Sequence, residues 1–310
     1  MKAGTWIAIG LIGFLIGAAI GGWLKPKAEI QTTGLTIIDA AGREITLAKT
    51  PKRVVSLIQY ITGLLAGIGA ENTLVGVNKT GAFPSDYPFC ENLPDVGNAA
   101  QINVEKVLAL NPDVVFTWVY FYPQAKVLEE KGLTVIALAA KDFDTLVYTI
   151  RLLGRIMGKV KEAENVASNI ENRVKKLKEK TKAIPENKRP LVYYESHTGR
   201  TGSAGTTWHE IITLAGGINI YAESPIEYPI PNYEYILARN PDVIVKAYDP
   251  KLTSAENVKN EIINRPGWRE IKAVKNDRIF IYDWRLSRWD TKTIDFVENF
   301  AKWLHPELFP

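Results

Sequence analysis

The feature that most constrains the fold is a thirteen-residue unit that occurs twice in the chain of 310 residues. It spans 103–115 as NVEKVLALNPDVV and recurs over 232–244 as NYEYILARNPDVI, with eight identical positions. In each copy an asparagine can cap a helix, a glutamate follows in the first turn, and Asn-Pro ends the helix before an apolar strand. We expect the leucine and alanine to face the sheet. Two widely spaced copies predict two lobes of the same design, since a solenoid would show many closely spaced ones.

The rest of the chain alternates short apolar strands with helical stretches, which is typical of an α/β protein with parallel-type sheets flanked by helices. A hairpin with glycine in its turn is predicted over 35–47. Residues 159–182 contain neither glycine nor proline and predict one long, rigid interdomain helix. We therefore expect an N-terminal lobe over 28–158 and a C-terminal lobe over 183–310. The apolar stripe of the long helix is expected to consist of Val160, Ala163, Val166, Ile170, Val174 and Leu177.

The N-terminus predicts a location outside the cytoplasm. Residues 5–24 carry no charge and are long enough to span a bilayer as a helix. We interpret residues 1–27 as a membrane anchor, with a cleaved secretory signal as the alternative. No cysteine follows this segment closely, which argues against a lipid-anchored lipoprotein, and the single Cys90 allows no intramolecular disulfide.

Charge argues against nucleic acid as a partner. The formal net charge is +4, but Lys2, Lys25 and Lys27 lie in or beside the apolar N-terminal segment. The folded part is therefore almost neutral, without the strongly basic character typical of nucleic-acid-binding domains.

The loops after the predicted strands are rich in aromatic residues, and in open α/β sheets ligands lie beyond the carboxyl ends of the strands. Arginine side chains in the same loops can bind anionic groups bidentately. Together they predict a cleft for a bulky, anionic, partly flat ligand. The predicted ligand-binding residues are Tyr60, Trp118, Tyr120, Tyr122, Trp208, His209, Tyr248, Trp284, Arg285 and Arg288. Further candidates in these loops are Phe121, Trp289, Lys79, Arg200 and Lys246.

Direct binding of a metal ion by several histidines is disfavoured by their spacing. His209 is a possible axial ligand of a metal centre, and His197 is a weaker candidate. His305 lies far from both in sequence.

An enzyme is the competing interpretation, because the glycine-rich run over 199–205 could bind a phosphate group. The run matches neither the dinucleotide-binding nor the P-loop spacing, and it is not a nucleophile elbow. No catalytic residues are predicted. A surface receptor or scaffold without a transporter is a third class that would keep the same fold.

The sequence resembles the helical-backbone class of ABC-transporter solute-binding proteins, which bind iron–siderophore complexes, haem and cobalamin. The resemblance rests on the stretches DAAGREITL, TPKRVVSL, LVGV, PDVGN, NVEKVLALNPDVV, YEYILARNPDVIV, LAGGINIYAES and NDRIFIYDW. They run in order from residue 35 to about residue 284.

This resemblance implies two lobes joined by a single helix, with the ligand held between them and little closure on binding. It also implies that Glu105 and Glu234 dock to arginines of a permease dimer. The expected ligand is an iron chelate, either a siderophore complex or haem, with a corrinoid as the alternative, and no intrinsic cofactor is implied. The aromatic loops match no single ligand subtype.

Overall fold

The computed structural model describes residues 34–79 and 87–309. The strands are β1 Leu35–Ile38, β2 Glu44–Leu47, β3 Val54–Ser56, β4 Leu74–Val77, β5 Gly97–Asn98, β6 Gln101–Ile102, β7 Val114–Trp118, β8 Val135–Leu138, β9 Leu191–Glu195, β10 Ile218–Asn219, β11 Val243–Tyr248 and β12 Ile279–Asp283. The α-helices are α1 Gln59–Gly67, α2 Val104–Ala109, α3 Tyr122–Glu129, α4 Phe143–Met157, α5 Val160–Lys182, α6 Thr207–Leu214, α7 Tyr233–Arg239, α8 Ala255–Asn264, α9 Lys272–Lys275 and α10 Thr293–Leu304.

Two four-stranded parallel sheets share one topology, and we name the parts of the chain built on them the N-terminal and C-terminal lobes. The N-terminal sheet has the order β4-β3-β7-β8 and the C-terminal sheet the order β10-β9-β11-β12. In the N-terminal sheet β3 lies between β4 and β7, with β8 at one edge. In the C-terminal sheet β9 lies between β10 and β11, with β12 at the corresponding edge. The repeated unit forms α2–β7 in one lobe and α7–β11 in the other. The predicted α/β class and duplicated design are confirmed.

The start of each repeated unit is a capped helix. The side-chain oxygen of Asn103 accepts a hydrogen bond from the backbone N–H of Lys106, and that of Asn232 does the same for Tyr235. The prediction that leucine and alanine face the sheet is wrong. The buried positions are Val107 and Ile236, one residue earlier, because the short helices present only one side to each sheet.

The end of each unit fixes the following strand. Asn111 and Asn240 both have positive φ, 43° and 46°, a left-handed conformation that asparagine tolerates well. The Asp113 carboxylate accepts a hydrogen bond from the backbone N–H of Arg53, next to β3. The Asp242 carboxylate accepts one from Leu191, the first residue of β9. The start of β7 is thus held to the start of β3 in the same way as the start of β11 is held to that of β9.

The long helix α5 lies within the predicted range and packs on elements of both lobes. It approaches α4 so closely that a Cβ on Gly154 would lie 2.3 Å from the Cβ of Ala163. Arg173 binds Asp295 at 2.6 Å and Glu298 at 2.7 Å, both on α10. The predicted stripe is correct except at its first member, since Val160 is exposed.

A seam of close contacts joins the lobes directly. Trp289, predicted as a ligand contact, is buried and packs on Phe143 with ring centroids 4.9 Å apart. The Tyr87 hydroxyl donates to Asp290 at 2.9 Å. A Cβ on Gly67 of α1 would lie 2.4 Å from Cγ2 of Thr291. The positions of the two lobes are therefore set by packed side chains as well as by α5.

One connected cluster of buried apolar side chains runs from Val54 in the N-terminal sheet through α4 and α5 to Val243 in the C-terminal sheet. The described residues accordingly form one compact unit. The lobe boundaries at 158 and 183 stay a prediction.

The predicted membrane segment, residues 5–24, lies outside the described residues. Among the helices that the structure describes, none combines the length and apolar character needed to cross a bilayer.

Candidate ligand cleft and docking surfaces

Aromatic side chains lie at the carboxyl ends of two neighbouring strands of the N-terminal sheet. Tyr60 lies in α1 shortly after β3, and Trp118, Tyr120 and Phe121 lie at and after the end of β7. The last three form a cluster with ring centroids 5.2–5.8 Å apart. Tyr120 is 68% exposed. The structure thus brings these four predicted residues to one edge of the N-terminal sheet.

The polar ends of the half-buried rings point away from solvent. The Tyr60 hydroxyl and the indole N–H groups of Trp118 and Trp284 are buried and have no hydrogen-bond partner among the described residues. Burial raises the pKa of the Tyr60 hydroxyl well above its usual range. The exposed surface of these three rings is therefore carbon, which suits contact with an apolar or flat ligand.

The C-terminal sheet carries a second aromatic surface at its corresponding edge. His197 follows β9, Trp284 follows β12, and their rings stack with centroids 4.9 Å apart and an interplanar angle of 22°. They meet beside the end of β11, where Tyr248 is half-buried. Burial lowers the pKa of the His197 imidazole below its usual value, which favours the neutral ring.

The cations predicted to attract an anionic ligand are mostly paired with carboxylates of the protein. Arg285 binds Asp283 at 2.5 Å. The side chain of Arg288 is 7% exposed and binds the buried Asp290 at 3.0 Å, below the seam between the lobes. Both guanidinium groups are thus already paired with carboxylates, and their role as ligand contacts stays a prediction. Both partners lie two residues away in sequence, so a local charge pattern could have revealed the pairing.

Lys246 is likewise already paired, because it belongs to a buried ion network under the loop that follows β9. Its Nζ donates to Glu195 at 2.6 Å and to the carbonyl of Ser196 at 3.0 Å. Arg265 donates to both oxygens of the same Glu195 carboxylate, at 2.7 and 3.0 Å, and the Tyr193 hydroxyl donates to it at 2.7 Å. The network fixes the backbone from which His197 projects.

The electrostatics of Glu195 follow from these partners. Burial on its own would raise the pKa of this carboxyl group, but the hydrogen bonds and charges of Arg265 and Lys246 outweigh burial. Together they lower the pKa of Glu195 to about 2. Glu195 is therefore ionised at every physiological pH, and its charge compensates Lys246 and Arg265.

Two of the predicted aromatic contacts are structural. Trp208 is 6% exposed and stacks on Tyr194 with ring centroids 3.8 Å apart, because the buried face of α6 carries it into the core. The Tyr122 hydroxyl accepts a hydrogen bond from Arg43 and donates one to Glu129, and its ring lies under the Arg43 guanidinium. This places Tyr122 against the β1–β2 hairpin.

His209 lies at the start of α6. Its Nδ1 is 3.5 Å from the side-chain nitrogen of Asn219, and burial lowers the pKa of its imidazole. Its role as a metal ligand stays a prediction.

Glu105 and Glu234 are both exposed, and neither carboxylate forms an ion pair or hydrogen bond with a described residue. Each borders an open concavity, of about 540 Å³ beside Glu105 and about 510 Å³ beside Glu234. The capping asparagine of its helix lines the same concavity. The repeated unit therefore presents one unpaired carboxylate on each lobe.

Sequence reasoning missed an ion pair between the lobes. Lys141, in the loop after β8, binds Glu227 of the C-terminal lobe at 3.3 Å, and both side chains are about half exposed. The two residues are 86 positions apart. No local pattern in the sequence marks such a distant pair.

The family model described as periplasmic binding protein matches residues 54–286, which contain both sheets and α5. The chain belongs to the periplasmic binding protein family. The resemblance stated from its sequence motifs is confirmed.

Two relatives of this periplasmic binding protein extend the comparison. An uncharacterised ABC transporter substrate-binding lipoprotein of Bacillus subtilis is 27% identical over 322 residues, which cover 99% of this chain and 98% of the relative. A vitamin B12-binding protein of Vibrio cholerae is 27% identical over 260 residues, which cover 82% of this chain and 89% of the relative.

Solved structures with the same fold include proteins for two kinds of metal chelate. The periplasmic vitamin B12-binding protein of Vibrio cholerae superimposes with a TM-score of 0.71 at 25% identity, covering 84% of this chain and 99% of that one. A protein of an Fe3+-hydroxamate transport system from Saccharomonospora viridis has a TM-score of 0.71 at 22% identity, covering 87% and 98%. The second likeness is one of fold alone.

The buried network of this periplasmic binding protein makes a pH-dependent prediction. Glu195→Gln leaves the buried Lys246 without its counter-charge and Arg265 with only the exposed Glu261, so the free energy of unfolding at pH 7 should fall by about 3–5 kcal/mol. The contribution of Glu195 is present above the pKa of an unfolded glutamate, about 4.3, and is lost as the pH falls toward 2. Urea unfolding should therefore show a steeper acid loss in the wild type than in the variant.

The matched control is Glu261→Gln, which removes the exposed carboxylate that also binds Arg265 at 2.7 Å. It should change stability by less than about 1 kcal/mol. Equal stability of Glu195→Gln and wild type at pH 7, with parallel pH profiles, would show that the network does not stabilise the lobe.

Proposed function

We propose that this protein is the extracytoplasmic binding component of an ABC transporter and that it carries a flat metal chelate between its two lobes. The observation that supports this most is the pair of aromatic surfaces, which expose ring carbon at the carboxyl edges of both sheets. We further propose that residues 5–24 attach the protein to the membrane. The relatives are transport proteins, and we propose no catalytic activity.

Among metal chelates, the charge distribution favours a corrinoid. A corrinoid is a broad ring with amide side chains and a net charge near zero, and the pairing of Lys246, Arg285 and Arg288 leaves few cations to attract an anion. The vitamin B12-binding relative supports the same choice. Burying unpaired charge against a neutral ligand would be costly, so cations already neutralised by carboxylates suit such a ligand.

An iron chelate is the second candidate because two cations in the cleft loops have no carboxylate partner among the described residues. Lys79 donates to the carbonyl of Glu91 and Arg200 to the carbonyl of Tyr228. Their charges are free to attract the carboxylates of haem or an anionic ferric siderophore. The fold shared with a protein of an Fe3+-hydroxamate transport system is compatible with this choice.

The ligand can be identified by titrating the purified full-length protein with cyanocobalamin, haemin and ferrioxamine while recording tryptophan fluorescence. We expect cyanocobalamin to quench it with a Kd of about 1 μM or lower. Trp284→Ala should raise this Kd about tenfold or more, because it removes half of the stacked pair. Trp284→Phe, which keeps an aromatic face, should have a smaller effect.

Each outcome of this titration is decisive. Binding of haemin or ferrioxamine without cyanocobalamin would replace the corrinoid by an iron chelate at the same site. Failure of all three to bind would contradict the proposed class of ligand.

We also propose that Glu105 and Glu234 dock to cations of the permease, one on each lobe. A negative charge in the first turn of a helix already interacts favourably with the helix dipole, by about 0.3–1 kcal/mol. The helix dipole would favour such a glutamate in one lobe as much as in both. It does not explain why both lobes expose an unpaired glutamate at the same position of the repeated unit. Docking to the two halves of a permease dimer accounts for both.

Docking can be tested with Glu105→Ala and Glu234→Ala. Each variant should retain ligand affinity but bind at least tenfold more weakly to the permease–ATPase complex of its transporter, measured in lipid nanodiscs. Glu256→Ala is the matched control, because Glu256 is exposed and also lies two residues after its capping residue, Ser254. It should bind the complex like wild type. Unchanged binding of both lobe variants would contradict a docking role.

A further inference from the structure

The two proposed docking faces differ, although they are built on the same repeated unit. Around Glu234 the concavity is lined by Ile230, Pro231 and Tyr233, and the side chains of Ile230 and Tyr233 are 74% and 44% exposed. The concavity beside Glu105 is lined by Ile102 and Val104, which are only partly exposed, and by polar groups. Those groups include Asp95, Gln101 and Lys106. The apolar side chains beside Glu234 are thus more exposed than those beside Glu105.

The exposure of Ile230 is built into the fold, because the backbone just before it is held in place. The carbonyl of Pro229 accepts a hydrogen bond from the N–H of Thr201 at 3.1 Å, and that of Glu227 accepts one from Ser203 at 2.9 Å. Arg200 donates to the carbonyl of Tyr228 at 2.8 Å. A segment anchored in this way holds the isoleucine in solvent, and such apolar clusters mark interaction sites.

The charges around this cluster restrict what can cover it. Glu223 and Glu234 are exposed and form no ion pair with a described residue, so an anionic lipid surface would be repelled. A second copy of the chain, paired symmetrically through this face, would bring two Glu234 carboxylates together. A protein surface that carries a cation within apolar surroundings matches both the carboxylate and the isoleucine.

We propose that Ile230 and Tyr233 form, with Glu234, an apolar docking surface for a permease subunit, and that the C-terminal lobe supplies more of the docking affinity than the N-terminal lobe. This inference rests on the proposed function. Apolar side chains around an ion pair exclude water, and the pair is stronger in the lower dielectric that results. The apolar side chains beside Glu105 are less exposed, so they contribute less to this effect.

The test uses the full-length protein and the same permease–ATPase complex in nanodiscs. Ile230→Ser should weaken binding about tenfold or more, the loss expected when one buried aliphatic side chain is removed from an interface. Leu252→Ser is the control, since Leu252 is 83% exposed in the same lobe but does not line the concavity. It should change the affinity less than twofold. Glu234→Ala should weaken binding more than Glu105→Ala.

The outcomes separate this inference from the proposed function. If Ile230→Ser binds like wild type while both glutamate variants bind weakly, the apolar surface is wrong and docking stands. If neither glutamate variant is affected, the proposed docking itself fails. Loss of binding to phosphatidylglycerol vesicles in Ile230→Ser, or loss of a dimer in sedimentation, with unchanged permease binding, would assign the surface to lipid or to a second copy and overturn the inference.

Discussion

The structure depends on one continuous apolar core that passes from the N-terminal sheet through the helix pair α4–α5 to the C-terminal sheet. Because Gly154 lets α5 lie directly against α4, the long helix is a packed element of this core. Trp289 on Phe143 and Thr291 on Gly67 add contacts between the lobes. Closing or opening the lobes would break close packing, which is costly in a dense interior. We therefore expect the cleft and the spacing of the two docking faces to be set by folding.

In a cleft of fixed shape, ligand binding depends on side chains that are already in place before the ligand arrives. Charged side chains beside the cleft are neutralised within the protein before any ligand binds, as in the pairs Arg285–Asp283 and Arg288–Asp290. The half-buried rings expose carbon, so binding relies on shape and contact area more than on charge. The network around Glu195 holds the loop that carries His197. These features together suit a large, flat ligand that enters a preformed site.

Much of the fold could be predicted from the sequence, because the repeated unit is a local pattern with a local explanation for most of its residues. The site was harder to predict. Trp208 is the type of residue expected in a ligand cleft, yet helix α6, which carries it, places the indole in the core. In the sequence Lys246 has no evident partner for its charge. In the folded protein Glu195 and Arg265, which are 70 residues apart, meet beside it. Burial and distant ion pairs depend on tertiary packing, which single-sequence patterns do not contain.

The central claim, that the lobes are held at a fixed separation, is tested most directly by the distance between spin labels on the two lobes. Labels on Lys131→Cys and Glu256→Cys, both exposed positions, can be introduced with Cys90→Ser, which removes the buried native thiol. Pulsed electron paramagnetic resonance should give one narrow distance distribution that shifts by less than about 2 Å when the chelate that binds is added. A broad distribution without ligand, or a shortening of several ångströms with it, would contradict the account.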